Sequence, residues 1–164
     1  MFLFDYSGIF YSGRPAEIKV PNYSPIGILH SCFTEKFGVP RQAMMVSASW
    51  GILKLNKDPN FFAALGELDR FTHLWLLYDF HLHPPGNWRP TIEPPRLSQT
   101  KRVGVFASRS PHRPNAIGLS AVKLEKIDRY APGGIEIFVS GLDIMDGTPI
   151  LDIKPYLPYA DRIQ

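Results

Sequence analysis

Proline and glycine punctuation constrains this chain more than any other feature. With 16 prolines and 13 glycines spread over 164 residues, its apolar runs stay short. Proline fixes φ and lacks an amide donor, and glycine offers no side chain to pack, so both tend to end helices and strands. Between the breaks, strand signals recur at residues 26–32, 51–55, 73–80, 103–107, 116–127, 134–142 and 150–153. In the sixth of these, Ile135, Ile137 and Val139 alternate with Glu136, Phe138 and Ser140, the period of a half-buried strand. Residues 73–80 form a continuous apolar run that suits a strand buried on both faces. One helix fits residues 60–68, with Asp58 or Asn60 as cap and Pro59 near its start. No regular strand-helix alternation appears, nor any glycine-rich strand-to-helix turn, which argues against a Rossmann domain. Many short strands joined by Gly/Pro turns predict a mainly β, antiparallel barrel or sandwich with one or two short helices.

Hydrophobic residues make up 45% of the chain and charged residues 20%, the balance of a single soluble globular domain. No apolar stretch approaches the ~20 residues of a membrane helix. Residues 1–20 show no basic start followed by an apolar run, so no secretory signal is read there. Cys32 stands alone, which excludes an internal disulfide and fits a reducing, cytoplasmic setting. The net charge of +3 is mild but uneven. Arg89, Arg96, Lys101, Arg102, Arg109 and Arg113 fall close together against the single acid Glu93, whereas Glu136, Asp143, Asp146, Asp152 and Asp161 gather later against Lys154 and Arg162. One segment suits phosphates and the other gathers carboxylates, although charge alone favours an ordinary solvated surface.

Four stretches carry polar groups that folding alone does not require. Residues 108–118 hold Arg109, Arg113 and Asn115 between two prolines, a stiffened loop whose arginines suit bidentate contact with carboxylate or phosphate. Residues 141–156 place Asp143 and Asp146 around the apolar pair Ile144 and Met145, then Asp152 and Lys154 two apart in a strand. Those last two share a face and either pair with each other or reach one pocket. Pro40, Arg41 and Gln42 make a third polar loop. His81 and His83 follow the most apolar run, and with His73 they invite a metal reading. Zinc usually takes three or four ligands, and with Cys32 isolated no metal is expected.

The run from Val103 to Leu119, read VGVFASRSPHRPNAIGL, and the run from Asp146 to Tyr156, read DGTPILDIKPY, resemble the two long signatures of the TsaA-like family. Pro40-Arg41-Gln42, the strand start at Phe71-Thr72-His73-Leu74-Trp75, Phe80-His81 and Pro94-Pro95-Arg96-Leu97 are similar to shorter family motifs in the same order, so the resemblance covers residues 24–160. It implies a small antiparallel β-barrel over residues 23–160 that binds S-adenosylmethionine without a Rossmann fold, with an extension at 1–22 and a tail at 161–164. It implies a tRNA (N6-threonylcarbamoyladenosine) N6-methyltransferase, typically a homodimer with the cofactor near the subunit interface. Carried over by position, cofactor contacts fall to Pro40, Arg41, Gln42, His81, Leu82, Arg109, Leu119, Asp143, Ile144, Met145, Asp146, Gly147 and Thr148. Many bacterial members carry a further domain after the Pro-Tyr signature, whereas this sequence ends at Gln164. The expectation is that tRNA affinity depends on such end segments more than cofactor binding does.

Methyl transfer from a sulfonium is an in-line displacement, in which positioning supplies much of the rate. A base near the accepting nitrogen should help, and Asp152, His81 and Asp146 are the candidates. Arg113 or Lys154 suits the substrate's threonyl carboxylate. Arg89, Arg96, Lys101 and Arg102 suit the tRNA backbone, with Tyr156 or Trp88 as stacking partners. Three other readings compete: a cofactor- or RNA-binding module without catalysis, a metal-dependent hydrolase using the histidines, and the same fold methylating another substrate.

Overall fold

A computed structural model describes residues 22–84, 86–93 and 102–162. The expected extension at 1–22 therefore falls almost wholly outside the described residues, as do Pro94 to Leu97, with Arg96 among them, and Lys101. The strands are β1 (Gly27–Ser31), β2 (Trp50–Leu55), β3 (His73–Asp79), β4 (Thr91–Ile92), β5 (Val103–Gly104), β6 (Ile117–Asp128), β7 (Glu136–Ser140) and β8 (Thr148–Pro155). Six of them close a barrel in the order β1-β2-β7-β6-β3-β8, with β8 pairing back onto β1 and every pair antiparallel. The short β4 and β5 form a separate two-stranded piece.

Period-2 patterning decides which side chains fill the barrel. Leu29, Leu53, Leu74, Leu76, Val122, Ile137, Val139 and Ile150 all point inward and are essentially inaccessible. Each such side chain contributes about 1.5–3 kcal/mol by leaving water. Closure leaves these six strands with no open edge. The continuous apolar run in β3 alternates after all: Leu74, Leu76 and Tyr78 are buried, while Trp75 and Leu77 are half-buried on the outer face. Trp75 is apolar there because the C-terminal segment covers it. Its indole N–H donates to Asp161 at 3.0 Å, and its ring lies 5.7 Å from Tyr156. Asp161 ends α2 (Pro158–Asp161).

Two local expectations are corrected. The strand expected over residues 103–107 stops at Gly104 and continues as a 3-10 turn, Val105–Ala107. The helix expected over residues 60–68 is the single turn α1 (Phe61–Ala64). Asn60 holds the capping position but makes no side-chain cap, because the Asp58 carboxylate accepts from both its amide and its side chain. Glu67, at φ 62°, then breaks the α-helical path, and a separate 3-10 turn follows at Leu68–Arg70.

Topology sorts the connections by end. Because neighbours alternate in direction, the links β1–β2 (residues 32–49), β3–β6 (80–116) and β7–β8 (141–147) all emerge at one end of the barrel. The links β2–β3 (56–72) and β6–β7 (129–135) lie at the other. The chemistry-bearing stretches at 40–42, 81–83, 108–115 and 143–147 therefore converge, although they are far apart in sequence.

Candidate functional site

Two segments shape the crowded end of the barrel. Gly141, at φ +74°, turns the chain out of β7 so that Leu142 and Ile144 plug the barrel interior. Loop 32–49 is tied to this plug: the Met44 amide donates to the Gly141 carbonyl at 2.8 Å, and Ser49 Oγ donates to the Leu142 carbonyl at 3.1 Å. On the other side, Arg113 folds back on its own loop. Its guanidinium donates to the carbonyls of Val105 (3.2 Å) and Ser108 (2.7 Å) and lies over the Phe106 ring at 5.6 Å. These contacts, with the flanking prolines, hold the loop that carries Arg109.

Between these segments opens a cleft of about 400 Å3, within the size range of small-molecule sites. Pro40, Arg41 and Gln42 form one wall, Ser108, Arg109 and Pro111 another, and Phe80, Ile117 and Leu119 supply apolar surface. Arg109 Nη1 donates to Gln42 Oε1 at 2.7 Å, bridging two walls. Asp143 and Tyr78 complete the lining. Ser120 Oγ donates to Asp143 Oδ1 at 2.5 Å and lies 3.1 Å from the Tyr78 hydroxyl. Burial raises the Asp143 carboxyl above the usual carboxylate value, opposed by the Ser120 hydrogen bond, by backbone amides at Asp143 and Ala43, and by the Arg109 charge. Burial, together with the Asp143 charge, pushes the Tyr78 phenol up to about 12.

A second, more basic cleft adjoins the first and shares Arg41, Gln42 and Arg109 with it. Arg89, Arg102 and His112 extend it, with Glu93 as its one acid among the described lining residues. Arg102 is anchored to Thr91 through Oγ1 (3.1 Å) and the backbone carbonyl (3.2 Å), and lies 3.7 Å from Glu93. His112 stacks edge-on against His83 at 4.5 Å.

The remaining sequence candidates lie elsewhere. Asp146 Oδ1 accepts from the Ser31 amide at 3.0 Å and sits 3.3 Å from His30 Nδ1, so it faces β1. His81 Nδ1 is 3.4 Å from Thr148 Oγ1, and the exposed Leu82 follows it. Ile144 and Thr148 have buried side chains, while Met145 offers its carbonyl to Thr148 Oγ1 at 2.8 Å. Gly147, at φ +77°, makes the turn into β8. Asp152 and Lys154 pair with each other at 2.7 Å on the outer face, and Tyr156 packs near Trp75 and His73. Among the described residues, no group of three or more His, Cys, Asp or Glu side chains comes together to hold a metal. None of their helices is long and apolar enough to cross a membrane.

Sequence reasoning missed Tyr78 and Ser120, which sit inside strands and read as core. The available signal was Tyr78 itself: a tyrosine closing an aliphatic strand run needs a partner for its hydroxyl.

An antiparallel barrel with a polar, arginine-flanked cleft at its loop-rich end, and among the described residues no α-helix longer than four residues, is a non-Rossmann architecture with room for a small ligand. Residues 28–162 match the tRNA-methyltransferase O N-terminal domain, and the chain belongs to that family. It is 45% identical over 141 residues to the tRNA (adenine(37)-N6)-methyltransferase of Escherichia coli (strain K12), covering 86% of this chain and 60% of that protein. It is 40% identical over 139 residues to a probable S-adenosyl-L-methionine-binding protein of Pyrococcus abyssi, covering 85% of this chain and 70% of that one. Among solved structures, TrmO from Pseudomonas aeruginosa superposes with a TM-score of 0.69 at 41% identity, covering 88% of this chain and 59% of the other. The chain thus spans about 60% of the length of the E. coli relative.

Proposed function

We propose that this chain is an S-adenosylmethionine-dependent methyltransferase that methylates N6 of threonylcarbamoyladenosine in the tRNA anticodon loop, working as a cytoplasmic homodimer. The observation that carries this reading is the donor set of the smaller cleft. Arg41 and Arg109 suit a carboxylate, Asp143 suits a cation, and Phe80, Ile117 and Leu119 suit an apolar ring. S-adenosylmethionine presents all three features, and the names of the E. coli and P. abyssi relatives point to the same chemistry. When bound, it supplies an electrophilic methyl group on a sulfonium.

The chain's own residues then do four things. Arg109, fixed by Gln42, orients the cofactor's carboxylate end. Asp143 offers negative charge in a half-buried setting where charge interactions are strengthened. The adjoining basic cleft, with Arg89 and Arg102, receives phosphates and the threonyl carboxylate of the substrate. Ile117 and Leu119, 44% and 52% exposed at the cleft rim, become covered when a second copy closes over the site.

Titration calorimetry with S-adenosylmethionine tests the reading. One cofactor per chain is expected, with affinity reduced on the order of tenfold or more in Arg109→Ala. Methyl transfer to tRNA carrying the threonylcarbamoyl group should follow, and the same sample should sediment as a dimer. Unchanged binding in Arg109→Ala would move the cofactor out of this cleft. Equal transfer to tRNA lacking the modification would change the substrate.

A further inference from the structure

Three side chains from three elements are strung together beneath the cleft. Tyr78 comes from β3, Ser120 from β6, and Asp143 from the plug that follows β7. Ser120 has one proton, and it is spent on Asp143 Oδ1 at 2.5 Å. The 3.1 Å contact between Tyr78 and Ser120 must then have the phenol as donor. Both hydroxyls point the same way, towards the carboxylate. Tyr78 and Ser120 are 4% and 2% exposed, whereas Asp143 opens on the cleft. With its phenol pushed up to about 12, Tyr78 keeps its proton at working pH. The chain of hydroxyls therefore supplies donors and offers no outlet for a proton through the core. Protons exchange with Asp143 only from the cleft side.

The geometry that makes this arrangement possible is specific. Gly118 faces Tyr78 across the β3–β6 ladder, and a Cβ there would lie 2.2 Å from the ring. Glycine at that position lets the ring lie flat against β6 and bring its hydroxyl to Ser120, one pleat further on. Phe80 braces the ring at 5.3 Å, edge to face.

We propose that Asp143 takes the proton from the methyl-accepting nitrogen, and that Ser120, backed by Tyr78, is the positioning residue that aims and steadies its carboxylate. This rests on the methyltransferase reading above. In the transfer, the N–C bond forms as the C–S bond breaks and sulfur keeps the electron pair. The nitrogen's proton passes to Asp143. Sulfonium, amine and carboxylate thus become a neutral thioether, a neutral N-methyl product and a neutral acid, which returns its proton to water through the cleft. The other candidate bases are less suited. Asp146 is committed to Ser31 and His30, Asp152 to Lys154, and His81 contacts Thr148; none of the three lines either cleft. The titratable and charged groups facing Asp143 are Tyr78 from β3, Arg109 and Arg113 from loop 108–116, and Arg41 from loop 32–49. Arg113 is already held by two carbonyls.

The test combines single-turnover methylation of threonylcarbamoylated tRNA across pH with carboxyl NMR titration of Asp143 in the free protein. At saturating S-adenosylmethionine, Asp143→Asn should lower the transfer rate by about 100-fold or more, a loss separate from any weakening of cofactor binding that follows from removing its negative charge. Ser120→Ala should raise the Asp143 midpoint and move the acidic limb of kcat upward with it. Ser120→Thr should restore both, and Tyr78→Phe, which keeps the ring, should give a smaller shift in the same direction. Wild-type kcat in Asp143→Asn would overturn the proposal. Weakened binding of the cationic cofactor with kcat intact would leave Asp143 its cation-binding role alone and remove the base role. Absence of transfer by the wild-type protein would instead sink the methyltransferase reading. The NMR midpoint would then still judge the positioning claim, which fails if Ser120→Ala leaves the midpoint unmoved.

Discussion

Asp143 and Asp146 leave the same strand three residues apart, yet they belong to different parts of the machine. Asp146 points at β1, where its Oδ1 accepts from the Ser31 amide, and the next residue, Gly147, donates to the Leu29 carbonyl at 2.9 Å. It ties a turn to a strand. Asp143 points at the cleft, where Ser120 joins the backbone amides at Asp143 and Ala43 in holding it. The same contrast separates the two arginines of loop 108–116. Arg113 is consumed by its own loop's carbonyls, whereas Arg109 reaches across the cleft to Gln42. Asp146 and Arg113 tie neighbouring backbone segments together. Asp143 and Arg109 line the smaller cleft and each engage a side chain from another element there. Sequence spacing does not distinguish them, because the deciding partner lies on a distant strand.

The largest effect expected from this comparison comes from the floor beneath Asp143. Gly118→Ala places a methyl group where the buried Tyr78 ring already lies, 2.2 Å from its nearest atom. Neither the β6 backbone nor a 4% exposed ring can yield easily. Overpacking of this kind costs about 3 kcal/mol, or a fall in Tm of roughly 6–12 °C in calorimetry. A variant as stable as the wild type would mean that the ring moves freely, and the Tyr78–Ser120–Asp143 chain would lose its rigid base.

Next in size is Asp146→Ala. The Ser31 amide loses its acceptor in a partly buried position, which costs about 1–2 kcal/mol. The loss should be local as well as global. Hydrogen exchange should quicken at Ser31 and Gly147, where β1 meets the turn into β8. No change in denaturant midpoint would place Asp146 with Asp143 as a residue kept for chemistry and would dissolve the contrast.

Much of the barrel was legible because strand periodicity and Gly/Pro breaks are local signals. Residues 51–55 and 134–142 alternate cleanly, and β2 and β7 lie within or beside those ranges. The β3 run misled, since its outer face carries the apolar Trp75 and Leu77, and the C-terminal segment half covers Trp75. That contact spans 86 residues of sequence, and no local pattern encodes it. Val103 to Ala107 misled because apolar residues alone do not separate a strand from a 3-10 turn. At the site, Arg41, Gln42 and Arg109 were legible as polar residues in loops that match family motifs, and Asp143 as an unusual polar residue just ahead of one; the structure gathers the four in one cleft. Ser120 was illegible. A small residue at an inward strand position looks like packing until Asp143, 23 residues away, is found against it.

The smallest effect, opposite in sign to the others, separates the two aspartates most sharply. Burial disfavours the charged form of Asp143, so its folded pKa lies above the ordinary carboxylate value. Between that value and the raised folded one, the folded state binds more protons than the unfolded state. Stability should then fall as pH rises through this window, because folding must carry a carboxylate into a site that resists it. Asp143→Asn removes that penalty. Its stability should match the wild type below the window, where both side chains are neutral, and equal or slightly exceed it above. Urea unfolding of both proteins from acid to neutral pH measures the difference directly. If the variant is instead less stable at neutral pH, the hydrogen bonds from Ser120 and the backbone amides outweigh desolvation. Asp143 would then be an architectural residue like Asp146.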